Sequence, residues 1–379
     1  MWQGSRQRLV WGLAGLILLG AVAPTWSGEP GVKRLLYVTA PDGAGGTRNP
    51  PGLYVYDIDD GHKLLKHIPI PDMGGTRGCC GSARAGRLFI SHRNTNLMCF
   101  DLVTEKKVWE VAYPKEEGGA DRCCVTPDGK KVYVPEGWWT NKTKSLKVVD
   151  GETGKTLKTI PLGAGNGHNS IMSPTGKRMY LGSTSHGKVF VVDTATDRII
   201  KQFGPFGRDP TGRKGRVSPY CINGAETLCF ANSHHVGFYV GDLVKETVPH
   251  WLRVEEAAGF SHGVGMTPDE KEIWLTNPND KRLWVYDATV MPPKRLRSID
   301  VCRKSHGWIT FSLDGVYAWP DTSEVIDAKT KKVLATLKDE SGKPVASSKF
   351  IEVHFRDGKP VRMGDQFGIG RTGTPHYLK

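Results

Sequence analysis

The sequence predicts an all-β protein, a seven-bladed β-propeller built from four-stranded antiparallel blades. Three observations predict this fold. A segment of about 45 residues recurs along the chain, as repeat architectures require. Each copy runs through strand-like stretches and closes on an aspartate. No long amphipathic helical pattern competes with the strands, and radial repetition of four-stranded units is how propellers protect their sheet edges.

The repeat units are read from their first and last residues. Three complete copies run from Asp121 to Asp150, from His168 to Asp193 and from His262 to Asp287. Weaker copies run from Arg77 to Asp101, from Ser218 to Asp242 and from His306 to Asp327. With Leu53–Asp57 as one more closing strand, the closing aspartates are Asp57, Asp101, Asp150, Asp193, Asp242, Asp287 and Asp327. The sequence therefore predicts seven units, and we expect these aspartates to anchor turns.

Each unit carries the residue pattern of strands and hairpins. Apolar and polar residues alternate over four or five positions, and β-branched and aromatic residues are enriched. Turn residues such as Pro127-Asp128-Gly129 and Asn223-Gly224 separate the strands.

The two ends of the chain predict how the ring closes. The first unit has three candidate strands, 34–40, 53–57 and 63–70, and lacks the innermost one. The segment from Lys349 to Gly358 resembles that missing strand with its turn. We therefore expect a C-terminal strand to join the N-terminal blade, so that opening the ring would expose two sheet edges at once.

Residues 1–28 have the pattern of a secretory signal peptide, with Arg6 and Arg8 before an apolar run from Leu9 to Ala23. Cleavage is expected after Ala23 or Ser27. An uncleaved anchor is the alternative, but a membrane span needs roughly 20 apolar residues and the run has about 15. We expect residues 29–379 to form a single propeller domain, a monomer without a stable membrane span after cleavage. The sequence predicts a periplasmic or extracellular location without choosing between them.

The composition favours anionic partners. The formal net charge is +13, and the basic residues are scattered through the turns. This distribution shows no nucleic-acid-binding motif, so we expect no nucleic-acid partner. A small anionic ligand or an envelope protein is the expected partner.

Eight cysteines in an exported chain are numerous enough to pair completely. Cys79-Cys80 and Cys123-Cys124 are adjacent pairs in the innermost strands of two consecutive units. Cys221 and Cys229 flank a turn, and we expect them to face each other across a hairpin. Structural disulfides and buried thiols are both compatible with this placement, and soft-metal ligation is a third interpretation.

Histidines collect at positions that share one face of the predicted ring. Three of them, His168, His262 and His306, begin units and are expected at the mouth of the central channel. Others lie in the loops between second and third strands, namely His92, His186, His234 and His235. Further residues of the predicted ligand site, at or near the start of their units, are Arg77, Asp121, Arg122 and Tyr220.

These residue types suit two kinds of site. Arginine side chains bind carboxylate or phosphate groups. Converging imidazoles suit copper, zinc or iron, so His168, His262 and His306 are the candidate metal ligands. No fixed ligand spacing supports a metal, and the same histidines can also serve only as turn residues that bond to backbone.

Several segments resemble the YVTN family of bacterial β-propeller repeats. They include Tyr37-Val-Thr-Ala, the stretch from Val148 to Gly163 and the stretch from Ser173 to Leu181. The resemblance covers about residues 34 to 358 and implies the fold more strongly than an activity. Related propellers include lactonase-like enzymes, binding proteins and the copper-carrying propeller of nitrous oxide reductase.

Three functions follow from these observations. The first is an exported binding or scaffold propeller with a His/Arg-lined site at the channel mouth. The second is a metal-dependent, copper-type oxidoreductase that uses the same histidines, and the third is a lactonase-like hydrolase.

Overall fold

The computed structural model describes residues 1, 29–42, 49–92, 95–114, 116, 118–136, 144–163, 166–183, 187–206, 217, 220–233, 237–253 and 262–365. The chain forms two compact units, Met1–Pro30 and Gly31–Lys379. All strands belong to the second unit. The predicted signal peptide, apart from Met1, lies outside the described residues.

Twenty-nine strands are present in the described part of the chain, arranged as seven antiparallel sheets. The first two sheets contain β1 (Val32–Ala40), β2 (Gly52–Asp57), β3 (Lys63–Pro69), β28 (Phe350–Arg356) and β29 (Lys359–Met363), and then β4 (Thr76–Ser82), β5 (Arg87–His92), β6 (Asn96–Asp101) and β7 (Lys106–Ala112). The third and fourth contain β8 (Cys124–Val125), β9 (Lys131–Pro135), β10 (Ser145–Asp150) and β11 (Thr156–Pro161), and then β12 (Gly167–Met172), β13 (Arg178–Ser183), β14 (Val189–Asp193) and β15 (Arg198–Phe203).

The remaining three sheets follow the same order. They contain β16 (Tyr220–Ile222), β17 (Leu228–Ser233), β18 (Gly237–Asp242) and β19 (Thr247–Arg253), then β20 (Val264–Met266), β21 (Glu272–Thr276), β22 (Arg282–Asp287) and β23 (Lys294–Asp300), and finally β24 (Ile309–Phe311), β25 (Tyr317–Pro320), β26 (Glu324–Asp327) and β27 (Val333–Thr336). The predicted all-β, seven-bladed propeller is confirmed.

The first strands of the blades surround the central channel. Contacts join β28 with β4, β4 with β8, β8 with β12, β12 with β16, β16 with β20, and β20 with β24. The inner strands approach so closely that a Cβ atom on Gly263 would collide with the carbonyl oxygen of Gly307. This crowding explains why glycine stands directly before the inner strand β20.

Seven apolar clusters form the core, and each fills the space between two neighbouring blades. Inward-facing residues of one sheet thus pack on the next sheet, as in other stacked sheets. The cluster between the fourth and fifth blades also contains Trp308, which belongs to the seventh blade. That side chain therefore reaches from its own blade into the middle of the ring.

The chain ends close the ring as predicted, with one addition. Strand β28 pairs with β1 over seven residue pairs, from Val32↔Arg356 to Val38↔Phe350. Strand β29 then pairs with β28, so the first sheet has five strands instead of four. The predicted closing strand is confirmed, and the fifth strand was not expected.

The closing aspartates anchor turns, as the sequence indicates. The Oδ1 atom of Asp101 accepts hydrogen bonds from the backbone N–H groups of Val103 and Thr104 at 2.9 and 2.7 Å. Asp57, Asp150, Asp242 and Asp327 make the same pair of bonds. These side chains hold an Asx turn at the end of the third strand.

The same turns connect neighbouring blades. Glu105, Glu246 and Lys331 each stand four residues after a closing aspartate in left-handed backbone, with φ of 56°, 59° and 66°. Their side chains pair with Lys66, Lys201 and Glu272 of the preceding blade at 2.5, 2.8 and 2.5 Å. The pairs of Lys66 with Glu105 and of Lys201 with Glu246 are partly exposed, and such pairs contribute about 1 kcal/mol or less each. The Lys331–Glu272 pair is more buried.

His62 links the first blade to the seventh through a buried hydrogen bond. The indole Nε1 of Trp319 donates to His62 Nε2 over 3.0 Å, which requires a neutral imidazole protonated on Nδ1. Burial lowers the pKa of His62 to about 4, and the charge of Arg34 lowers it further. Protonation would therefore break a buried hydrogen bond at the closing seam.

The folded protein should lose stability as the pH falls from about 6.5 to about 4. Because the pKa of His62 is lower in the folded chain than in the unfolded chain, the unfolded state binds more protons in this window, costing about 3 kcal/mol. Urea unfolding at pH 7, 6, 5 and 4 measures the effect. His62→Gln retains an acceptor for Trp319 but does not titrate, so its stability should fall less steeply; a slope equal to that of the wild type would contradict this role.

Candidate functional site

The predicted mouth residues lie at the inner strands, where several blades meet. Arg77 is in β4 of the second blade, Asp121 and Arg122 precede β8 of the third, and His168 is in β12 of the fourth. A bridge pairs Arg122 with Asn169 of the fourth blade. These four residues, which the sequence analysis assigned to one site, therefore lie at the inner strands of three consecutive blades.

Asp121 joins three of the predicted residues. Its Oδ1 accepts from Arg77 Nε at 3.2 Å and lies 3.1 Å from Arg77 Nη2, and its Oδ2 is hydrogen-bonded to His168 Nδ1. Burial would raise the pKa of Asp121, but the attraction of His168 and Arg77 outweighs burial and lowers it to about 2. Burial lowers the pKa of His168 to about 4 despite the opposing charge of Asp121. At neutral pH the centre of this group is thus a carboxylate held between a guanidinium and a neutral imidazole.

Arg122 crosses the channel. Its guanidinium carbon lies 3.4 Å from the ring centre of Trp308, a residue of the seventh blade. Stacking of this kind is a cation–π contact, which is strongest where water is excluded. Burial, followed by repulsion from Arg77, lowers the pKa of Arg122 to about 9, so the side chain is still charged at neutral pH.

His262 lies beside the same tryptophan, and His306 lies beside His262. Their rings stack with centres 4.0 Å apart, and His262 meets the Trp308 ring edge-on at 5.1 Å. His262 is buried, whereas His306 is partly exposed. Burial lowers the pKa of His306, and Arg122 lowers it further.

The chain end that closes the ring supplies another cation. Lys349 Nζ lies 3.4 Å from Asp42 Oδ2 and 5.3 Å from the Trp308 ring centre, and the lysine is fully buried. Burial lowers the pKa of Lys349 to about 8, with Asp42 opposing the shift. Three cationic side chains, Arg77, Arg122 and Lys349, therefore converge on the channel.

Several buried polar atoms of this site have no hydrogen-bond partner among the described residues. They are Nε and Nη1 of Arg122, both side-chain amide atoms of Asn169, and Nε1 of Trp308. The three side chains are at most 2% exposed. Because a buried polar group without a partner costs free energy, such a cluster is typical of a site that an additional group completes.

The remaining predicted residues are placed as follows. Tyr220 is buried in the same apolar cluster as Trp308, and its hydroxyl donates to the Asn169 carbonyl at 3.3 Å. His186, His234 and His235 lie outside the described residues. His92 Nε2 lies 3.3 Å from Glu110 Oε1, and His92 lines a separate cavity of about 230 Å³ between the first and second blades.

The histidines do not form the metal set that the sequence suggested. Within the described ranges, no group of three or more His, Cys, Asp or Glu side chains is arranged to hold a metal ion. His168 is bonded to Asp121, and His262 is stacked on His306. The metal hypothesis based on His168, His262 and His306 therefore gains no support.

All eight cysteines are free thiols in the structure. The sulfur atoms of Cys80 and Cys123 lie 3.5 Å apart in the core between the second and third blades. The expectation that Cys221 and Cys229 face each other is wrong. Cys229 pairs with Ile222, and Cys221 pairs with Phe230, so the two thiols enter different apolar clusters.

Three residues of the site were missed from the sequence: Asn169, Trp308 and Lys349. Asn169 follows His168, Trp308 stands two residues after His306, and Lys349 begins the segment that was predicted to close the ring. These three residues stand at the start of inner strands, as the predicted histidines do, and this position could have identified them. Their apolar sequence neighbours instead favoured the interpretation that they belong to the strand core.

Comparisons with known proteins identify the fold. The sequence matches no protein-family model and no curated protein. Among solved structures, the chain is similar to the β-propeller domain of Cps50 (Swd1) from Myceliophteria thermophila, with a TM-score of 0.56 at 10% identity over 75% of this chain and 89% of that one. This likeness establishes the propeller fold alone. Membership of the YVTN family is not confirmed and stays a prediction.

The same described ranges contain no helix long and apolar enough to cross a membrane.

Proposed function

We propose that the protein is an exported β-propeller that binds a small anionic ligand in the central channel, at the site formed by Arg122, Arg77, Lys349 and the surrounding histidines. The propeller provides a rigid scaffold, and concave sites on such scaffolds are where ligands bind. The observation that carries the proposal is the buried guanidinium of Arg122, which has hydrogen-bond donors without acceptors among the described residues.

The electrostatics of the channel support an anion. Arg77 and Lys349 are each paired with a carboxylate, Asp121 and Asp42. Arg122 forms no ion pair among the described residues and is stacked on an aromatic ring instead. Burial lowers the pKa of Arg122, and repulsion from Arg77 lowers it further. A bound oxyanion would offset this repulsion and accept the hydrogen bonds that the guanidinium lacks.

Export is supported by the sequence of residues 1–28, in which basic residues precede a short apolar run and small residues follow. A periplasmic or extracellular location is therefore part of the proposal. The copper-type oxidoreductase and the lactonase-like hydrolase are less well supported, because the described histidines are bonded or stacked instead of converging on one point.

Replacing Arg122 should separate binding from stability. Arg122→Met keeps an unbranched side chain beside Trp308 and removes the charge. Binding of acetate or inorganic phosphate should therefore weaken at least about 100-fold, since a buried charge-assisted bond contributes about 3 kcal/mol. The melting temperature should stay the same or rise, because an uncompensated buried charge is removed. Isothermal titration calorimetry and thermal unfolding measure the two effects.

Arg295→Met is the matched control. The Arg295 guanidinium also lies over an indole ring, 4.6 Å from the Trp284 centre, but on the exposed outer strand β23. This variant should bind anions as the wild type does. If the wild type bound neither anion, or if Arg122→Met retained binding, the proposed function would be wrong.

A further inference from the structure

We infer that the ligand is a small monocarboxylate with a hydroxyl group beside the carboxylate, a 2-hydroxy acid, enclosed between Arg122, Asn169 and Trp308. This inference rests on the proposed anion-binding function and specifies its ligand class. It follows from three features of the channel: the number of uncompensated charges, the kinds of polar atoms without partners, and their degree of burial.

The net charge of the site favours a ligand that carries a single negative charge. Asp121 compensates Arg77, and Asp42 compensates Lys349, at 3.1 and 3.4 Å. Arg122 is the cation that no carboxylate among the described residues pairs with. A monoanion would neutralise it, whereas a dianion would leave a buried negative charge, which is costly in a site shielded from water.

The polar atoms without partners specify a second group on the ligand. An isolated parallel bridge joins Asn169 to Arg122, so their side chains leave neighbouring positions of the backbone. Its amide offers both a donor and an acceptor, and neither atom has a partner among the described residues. A hydroxyl group also donates and accepts, so a hydroxyl beside the carboxylate would satisfy the Asn169 amide while the carboxylate accepts from Arg122. The indole N–H of Trp308 is one more donor for an oxygen atom.

Burial limits the size of the ligand. Asn169 and Trp308 are fully buried, and Arg122 is 2% exposed. Any group that bonds to their unpartnered atoms must therefore be enclosed between the inner strands. Since such strands already contact one another around the axis, a compact acid of a few heavy atoms fits this position better than a chain or a ring.

Three probes test the ligand class at pH 7: glycolate, acetate and inorganic phosphate, each titrated calorimetrically into the full chain. Glycolate should bind at least 10-fold more tightly than acetate, because its hydroxyl satisfies the Asn169 amide. It should also bind more tightly than phosphate, a large fraction of which carries a second negative charge at this pH. Asn169→Leu should reduce glycolate binding to the level of acetate and leave acetate binding unchanged.

Asn169→Ala provides a second variant, should the leucine variant fail to fold; it removes both polar atoms of the amide and should also lose the preference for glycolate. Equal binding of glycolate and acetate by the wild type, or tighter binding of phosphate, would overturn the ligand class and leave the anion site standing. Binding of none of the three probes would overturn the anion site as well. Retention of the glycolate preference in both Asn169 variants would exclude the proposed role of the amide.

Discussion

A chain that ends after Ser348 should fail to form a stable ring. The deletion removes β28, whose side chains Phe350, Ile351 and Val353 are buried in the cores on both sides of the first blade. Each such side chain contributes about 2 kcal/mol by burial. The loss is comparable with the whole stability of about 5 to 15 kcal/mol of a folded domain. It also leaves the edge of β1 that normally pairs with β28 free to pair with other chains, so aggregation should accompany unfolding.

Two shorter deletions make this expectation specific. A chain that ends after Arg356 loses β29 but no other described strand, and it should still fold but unfold at a lower temperature than the wild type. A chain that ends after Asp365 retains every described strand and should behave as the wild type. Circular dichroism melts and size-exclusion chromatography distinguish the three. A cooperative melt near the wild-type temperature for the chain ending after Ser348 would contradict ring closure through β28.

The fold could be predicted because each blade carries its own local signals. The closing aspartates and the Asp-Gly and Asn-Gly turns determine hairpins within about 45 residues, and their number determines the number of blades. Strand β29 was not predicted because Lys359–Met363 is short and charged and contains a proline. Proline is unusual within a sheet but is tolerated in an edge strand. The thiol pairing of Cys221 and Cys229 failed because one residue of register decides which face a side chain takes.

The site could be predicted only in part, for a related reason. Residues that start inner strands must approach the axis, and this rule located Arg77, Asp121, Arg122 and His168. The rule does not tell which side chains meet across the channel. The contact between Arg122 and Trp308 joins the third blade to the seventh, and it depends on the width of the closed ring and on side-chain length. The stacking of His262 on His306, which leaves no metal set among the described residues, depends on the same geometry.

Replacing Asp121 by asparagine should destabilise the protein by about 3 to 5 kcal/mol at pH 7, the cost of breaking a buried ion pair. The carboxylate lies between Arg77 and His168 and is fully buried. Once the negative charge of Asp121 is removed, the repulsion between the guanidinium groups of Arg77 and Arg122 is no longer offset by this carboxylate. Because the folded-state pKa of Asp121 is lowered to about 2, its contribution is present above the unfolded value of about 3.9 and is lost as the pH falls from about 3.9 to 2.

Glu246→Gln is the matched control for this substitution. It removes an ion pair with Lys201 that spans 2.8 Å but is largely exposed, so the free energy of unfolding should change by less than about 1 kcal/mol. The double variant Arg77→Met and Asp121→Asn should recover part of the stability lost in Asp121→Asn, because it removes the cation that was left without its partner. Urea unfolding of the four proteins at pH 7 measures these differences. A loss of unfolding free energy below about 1 kcal/mol for Asp121→Asn would contradict this role, because the loss would then be no larger than that expected for an exposed ion pair. Absence of any recovery in the double variant would also contradict it.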